Sequence, residues 1–333
     1  MDLNGSGGRL PVTIRAMGGR DLPGLLRMRR GGARLDVPES LVSGYTPVSG
    51  MLGGRWNPLR GSRIRTYVAS ANRTPVAFVQ ARERSFDQGH KWDLLFLGAA
   101  RVVATAPAER RTDLWAALLD YTTIAAGRRG VQRLYAKVAD SAIADACHAA
   151  GYTRYGEETV YLLQGVPRGD VVPADGVGDL VLRPQQPGDT WALHQLYTLT
   201  APKTVQYAEA HTSHRWELPK PGLLDLQGGT REWGFVVERE REIAIYCRVG
   251  RRGNRAKLEV VYEPTARGLL EPALGAILRW LDPGPGERIY CAVREFQAEL
   301  GGALLAHGFT AMEVQDALVR YTVVSMRSPS LAL

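Results

Sequence analysis

The chain repeats itself, and a repeat of this kind leaves few folds open. Val12–Met28 reads VTIRAMGGRDLPGLLRM, and Leu180–Leu196 reads LVLRPQQPGDTWALHQL. Each is a short apolar strand ending in arginine (Arg15, Arg183), a polar turn carrying Asp21 or Asp189, and a helix with leucines at helical spacing. An aspartate ahead of a helix can cap it, because its carboxylate accepts from the free amides of the first turn. The two ends match as well. Arg133–Val138 followed by Ala149–Tyr155 parallels Arg288–Val293 followed by Ala306–Met312. Both read as a strand, a helix, a helix-ending glycine (Gly151, Gly308) and an aromatic residue. A last strand closes each half, at Glu158–Leu163 and Ala317–Val324.

Between these ends each half carries three strand-like runs and a long helix. The runs are Ile64–Ser70, Val76–Arg82 and Trp92–Leu97 in the first half, and Gly234–Arg239, Ile243–Val249 and Lys257–Tyr262 in the second. The helices fall at 112–127 and 268–281, the second stopped by the DPGPG sequence at 282–286. A chain of 333 residues suits two domains. The expected division is 1–165, with 1–10 as a lead-in, then a Gly/Pro-rich linker at 166–179, a second domain at 180–327 and a tail at 328–333. Each half therefore predicts an α/β (α+β) fold: a mostly antiparallel mixed sheet with helices on both faces, whose last crossovers connect parallel strands.

That element order, with an arginine-ending first strand and a late strand–helix–Gly-aromatic–strand, resembles the GNAT acetyltransferase family over most of each half. The resemblance implies an acyl-CoA-dependent N-acyltransferase, with acetyl-CoA as co-substrate, no metal, and a small-molecule or peptide amine as acceptor. It also implies that at most one half is active. The family lays the cofactor pyrophosphate on the turn after its fourth strand, in a (Q/R)-x-x-G-x-(G/A) pattern. A helix start offers free amides and the positive end of a dipole there, and glycines let the backbone approach. In the first half Arg110 and Arg111 fall on this turn, but Asp113 and Trp115 stand at the small-residue positions. A carboxylate there repels phosphate, and Trp115 is expected to face the core with Leu118 and Leu119. In the second half Arg267 and Gly268 begin the turn, with Leu270 and Pro272 at the later positions; proline lacks an amide hydrogen. Asp93 and Glu259 are the carboxylates on the strands where the family often keeps a general base. Cys147 and Leu304 stand where it often keeps a tyrosine acid. The second half, through Glu259, Arg267 and Gly268, is the favoured site.

The alternative is a non-catalytic tandem module of the same fold that binds a metabolite, a protein or an anionic partner. Residues 1–170 hold 24 Lys/Arg against 15 Asp/Glu, concentrated in the 9–65 stretch. Without a nucleic-acid motif this reads as a solvated face rather than a nucleic-acid surface. His211 and His214, three apart, could meet on one helix face but lack a third metal ligand. The three cysteines form no CxxC pair, no run is long and apolar enough to span a bilayer, and the N-terminus lacks a secretory pattern, so the cytoplasm is the expected compartment.

Overall fold

The computed structural model describes residues 12–28, 32–48, 64–84, 90–165, 182–219 and 230–322. The lead-in, linker and tail assigned above lie outside these residues, as does much of the basic glycine-rich stretch before residue 64. In chain order the first half contributes β1 (Val12–Ala16), α1 (Leu22–Met28), β2 (Ala33–Arg34), α2 (Val37–Val42), β3 (Ile64–Ala71), β4 (Thr74–Glu83) and β5 (Lys91–Ala99). It continues with α3 (Arg101–Ala104), α4 (Ala108–Gly127), β6 (Arg133–Val138), α5 (Ser141–Ala149) and β7 (Thr153–Gln164). The second half adds β8 (Leu182–Pro184), α6 (Thr190–Thr200), α7 (Lys203–Glu209), β9 (Arg231–Arg239), β10 (Glu242–Arg252) and β11 (Arg255–Tyr262). It ends with α8 (Leu270–Leu281), β12 (Arg288–Arg294), α9 (Ala298–Ala306) and β13 (Thr310–Tyr321).

The described residues form two compact units. The first takes in the chain up to Asp36, Tyr45–Arg154 and the chain from Asp316 onward; the second takes in Val37–Gly44 and Tyr155–Gln315. In the first unit the strands run β1-β3-β4-β5-β6-β13, antiparallel except for the parallel β5–β6 pair. In the second they run β8-β9-β10-β11-β12-β7, antiparallel except for the parallel β11–β12 pair. The two orders are the same, but the last strands are exchanged. Asp316–Tyr321 of the second half pairs with β6, and Glu158–Gln164 of the first half pairs with β12. Only one crossover in each unit therefore joins parallel neighbours. The final crossover delivers its strand antiparallel to the other unit, contrary to the expectation that it too would connect parallel strands.

Each sheet carries helices on both faces. In the first unit α4 and α5 bury Leu114, Trp115, Leu118, Leu119 and Cys147 against one face, while Leu25 and Met28 of α1 pack on Val68, Phe78 and Phe96 of the other. In the second unit α8 and α9 cover one face with Leu274, Ile277, Leu278 and Leu304. The opposite face holds Leu193, Leu196 and Tyr197 of α6, Val205 of α7, and Trp216.

The repeated motifs are repeated structures. Arg15 donates to both carboxylate oxygens of Asp21 at 2.6 and 2.7 Å, and Arg183 does the same to Asp189 at 2.8 and 3.0 Å. Each aspartate also accepts from a backbone amide three residues back, Gly18 or Gln186, both at 2.7 Å. The carboxylates thus tie strand to turn instead of capping the helix ahead. Both late helices end as read from the sequence. Gly151 and Gly308 sit at φ 78° and 80°, and Tyr152 N and Phe309 N reach back to the Cys147 and Leu304 carbonyls. This six-to-one closure needs a left-handed residue, which glycine adopts without a Cβ clash.

Cys147, Cys247 and Cys291 are all buried, and burial pushes the Cys147 and Cys247 thiols up to about 12. The thiolate is the reactive form. Native protein at pH 8 is therefore expected to take up no iodoacetamide at these positions, and all three are expected to alkylate in denaturant; peptide mass shifts check this.

Candidate functional site

In open sheets with parallel strands, ligands settle where strands part at their carboxyl ends. Each unit has one such place. In the second unit β11 and β12 pair only over Arg255–Leu258 with Arg288–Cys291. Beyond that, Glu259–Tyr262 and Ala292–Arg294 continue without a ladder between them, leaving a slot. Among the described residues one group reaches into the ladder positions there: Gln297 Nε2 donates to Val260 O at 2.9 Å. In the first unit β5 and β6 pair only over Lys91–Asp93 with Arg133–Tyr135, then part.

The first unit's slot holds part of the chain itself. β2 pairs antiparallel with β5, Ala33 opposite Leu97 and Arg34 opposite Phe96. Leu35 N donates to Leu95 O and Asp36 N to Lys137 O, at 2.9 and 3.0 Å, so this segment bridges both slot strands. β5 prepares the contact by a bulge: Gln80 pairs with Phe96 but Ala81 with Leu94, leaving Leu95 as the extra residue. A bulge re-aims the backbone groups of the extra residue away from the regular ladder. A two-residue strand within the sequence RRGGAR carries no periodic signal.

The turns after the slot strands differ from a glycine-rich cradle. Beyond β11, Pro264–Leu269 winds as a 3-10 helix, with Ala266 N bonded to Glu263 O at 2.8 Å and Leu270 N to Arg267 O. Arg267 and Gly268 lie exposed on it, and open space surrounds the Gly268 α-carbon. Beyond β5, α4 begins at Ala108 with Pro107 as its cap residue and no side-chain cap bond. Arg110 and Arg111 are half-buried on its first turns, Asp113 is exposed, and Trp115 is buried as expected.

On the face of the second unit's strands that carries α6 and α7 lie two charge networks that the sequence did not announce. Arg215 Nη2 donates to both oxygens of Glu259, at 2.8 and 2.7 Å. Arg248, opposite Glu259 across the ladder, donates to Glu232 Oε2 at 2.7 Å and to the carbonyls of Arg215 and Glu217. The second network surrounds Glu209. Its carboxylate meets Arg294 at 2.6 Å, His211 Nε2 at 3.1 Å and the Tyr197 hydroxyl at 2.8 Å. His211 and His214 thus serve different carboxylates, His214 meeting Glu217 at 2.7 Å, and do not share a helix face. No group of three or more His, Cys, Asp or Glu is placed to hold a metal ion among the described residues.

Each unit thus holds six strands in one order, with a single parallel pair that parts ahead of a helix. A tandem GNAT protein from the clavulanic acid biosynthesis pathway, solved without AcCoA, aligns over 95% of this chain and 100% of its own, with a TM-score of 0.54 and 17% identity. The chain has a tandem GNAT fold. A GCN5-related N-acetyltransferase from Sphaerobacter thermophilus is also similar, at TM-score 0.48 and 12% identity over 95% of this chain and 100% of that one. So is an acetyltransferase from the GNAT family from Colwellia psychrerythraea, at 0.44 and 11% over 93% and 100%. No protein-family model matches the sequence, and no curated protein matches it.

The two carboxylates singled out from the sequence both lie close to where the parallel strands part, but not at matching positions: Asp93 pairs with Tyr135, whereas Lys257 pairs with the corresponding Tyr290. Asp93 is the last residue of the parallel pairing in the first unit, and Glu259 is the first beyond it in the second. Both are ion-paired. Asp93 accepts from Arg84 Nε and Nη2 at 2.9 and 2.6 Å, and that guanidinium lies over the Tyr135 ring, 3.9 Å from its centroid. The charges of Arg215, Lys257 and Arg248 outweigh burial at Glu259 and hold its carboxyl well below the usual carboxylate range. Such a carboxylate stays ionised and takes up a proton reluctantly. Among the described residues, no helix is long and apolar enough to cross a membrane.

Proposed function

We propose that this protein is an acyl-CoA-dependent N-acyltransferase that works from its second unit, with an amine as acceptor. The observation that carries the reading is the slot between β11 and β12. Its strands part beyond Leu258 and Cys291, and only the Gln297 side chain occupies its ladder positions among the described residues. A pantetheine arm carries amide groups that can pair with a strand edge as a peptide does. Val260 O on β11 is an acceptor it could use once the Gln297 amide swings aside. Bound there, acyl-CoA supplies an activated thioester acyl group.

The chain's own residues hold and orient. Arg267 and Gly268 stand on the turn where the pyrophosphate would lie: a guanidinium offers several donors to phosphate oxygens, and the open space at Gly268 permits close approach. The 3-10 winding uses up several amides of this turn, so in this reading the arginine does most of the phosphate work. Glu259 stands at the floor of the slot. In this reading its ionised carboxylate, held in place by Arg215, accepts a hydrogen bond that orients the acceptor amine, and the departing amine proton passes to water. Catalysis then rests on positioning, which by itself can contribute several kcal/mol.

Calorimetry with acetyl-CoA tests this. Wild type is expected to bind, and Arg267→Ala to bind about ten-fold more weakly, a loss of about 1.4 kcal/mol. Arg110→Ala is expected to leave the affinity unchanged. Absence of heat at millimolar acetyl-CoA would sink the proposal.

A further inference from the structure

We infer that Gly32–Asp36 is a resident strand seated in the first unit's slot, where it takes the place of a pantetheine arm, so that the chain offers acyl-CoA one slot and not two. The inference rests on the functional reading above for what the slot would otherwise hold; the occupancy itself rests on geometry.

Four observations place the segment there. β2 lies on the edge of β5 that faces β6, because the other edge is taken by β4. It pairs at Phe96 and Leu97, beyond the last parallel pair at Asp93 and Tyr135. Leu35 and Asp36 donate to one strand each, Leu95 O on β5 and Lys137 O on β6, so the segment closes the gap from both sides. Finally, it is fitted rather than draped. A Cβ on Gly32 would come within 2.4 Å of both Leu97 O and the Phe96 ring, and Leu35 is 1% exposed in the first unit's main core.

The segment is also held beyond the slot. Asp36 turns the chain in the left-handed region, at φ 53°, with its carboxylate 3.7 Å from Lys137 Nζ. The chain then enters the second unit as α2. There Lys257 meets Glu39 at 2.9 Å, Arg255 donates to Leu41 O at 3.0 Å, and Arg252 donates to Ser43 O. Cations on the last carbonyls suit the negative end of a helix. A ligand entering the first slot would have to break the backbone hydrogen bonds of Leu35 and Asp36 and extract Leu35 from the core. Its phosphates would then meet a turn where Glu109 and Asp113 offset Arg110 and Arg111.

Hydrogen exchange read at single amides, combined with calorimetric stoichiometry, tests this on the full chain. The Leu35 and Asp36 amides are expected to exchange at least about a hundred-fold more slowly than unstructured chain, and saturating acetyl-CoA is expected to leave them unchanged. Acetyl-CoA is expected to bind at one per chain. Gly32→Val, which crowds the strand out of the slot without altering β5 or β6, is expected to speed exchange at both amides by about ten-fold or more. Two results overturn the inference: exchange at both amides at the rate of unstructured chain, or binding of two acetyl-CoA per chain with loss of their protection. If wild type binds no acetyl-CoA, the functional reading fails, and the protection of Leu35 and Asp36 in the free protein still decides whether the strand fills the slot.

Discussion

Replacing Arg294 with leucine is expected to destabilise the second unit by about 2–3 kcal/mol, lowering its unfolding midpoint by about 5–10 °C. Arg294 ends β12 and meets Glu209 at 2.6 Å, where the carboxylate is 5% and the guanidinium 23% exposed. Removing one partner of such a pair strands the other charge in a medium that solvates it poorly. The partial exposure of the arginine keeps the expected loss at the lower end of the range for buried pairs. Arg294 is the main charge holding the Glu209 carboxyl well below the usual range, with His211 adding to it. A carboxylate whose proton affinity falls on folding contributes stability above its unfolded pKa and loses it as pH drops through the folded value. Wild type should therefore hold its midpoint down to the ordinary carboxylate range and lose stability below it. In Arg294→Leu the lowering of Glu209 is largely gone, so the gap between variant and wild type should narrow as pH falls below that range. Adding Glu209→Gln should restore part of the loss at neutral pH, since the Tyr197 hydroxyl can still donate to the amide oxygen. Thermal unfolding across pH reads all three outcomes. An unchanged midpoint in Arg294→Leu at neutral pH would show that the pair adds nothing.

Cutting the chain within 166–179 is expected to leave neither half folded alone, while the two mixed should recover a one-to-one complex. A fragment ending at 165 keeps β6 but loses Asp316–Tyr321, the strand that pairs with it. With that strand go Leu318, wholly buried in the first unit's core, and the Arg320–Asp120 ion pair at 2.8 Å. The complementary fragment loses β7 from the edge of β12, along with Val160 and Leu162, which pack with Tyr290. It also loses α2. Deficits of this size rival the whole stability of a domain, about 5–15 kcal/mol. Size-exclusion chromatography with circular dichroism would follow separate and mixed fragments. Two separately folded monomers would show that each half can re-pair its own last strand.

The element order was legible because it rests on periodicity and on residues with local meaning. The strand-ending arginines with their aspartates, and the glycines that close α5 and α9, each act within six residues of chain. What the sequence hid depends on distance. Which edge a last strand completes is decided by backbone hydrogen bonds, and β7 and β13 are both twelve-residue strands whose patterns do not distinguish one sheet from the other. The tie between Arg215 and Glu259 spans 44 positions. Glu209 and Arg294 lie farther apart still, one in a helix and one at a strand end. Glu259 can be singled out from the sequence only by the strand it lies on. Its suitability as a base could not be judged without the arginine that binds it. The resident strand was invisible for another reason: Ala33 and Arg34 are held by the edges they lie against and have no strand signature of their own.

Within the first unit, β1 at one described end of the chain and Asp316–Tyr321 at the other hold the first and last places in the strand order. Tension applied at the described ends would reach these strands first, but Val37–Gly44 and Gln315 belong to the second unit, so both units come under load within a few elements. The chain passes between the units four times, so neither is an uninterrupted insert in the other. A pulling experiment should therefore show the two units giving way together rather than as two separate events.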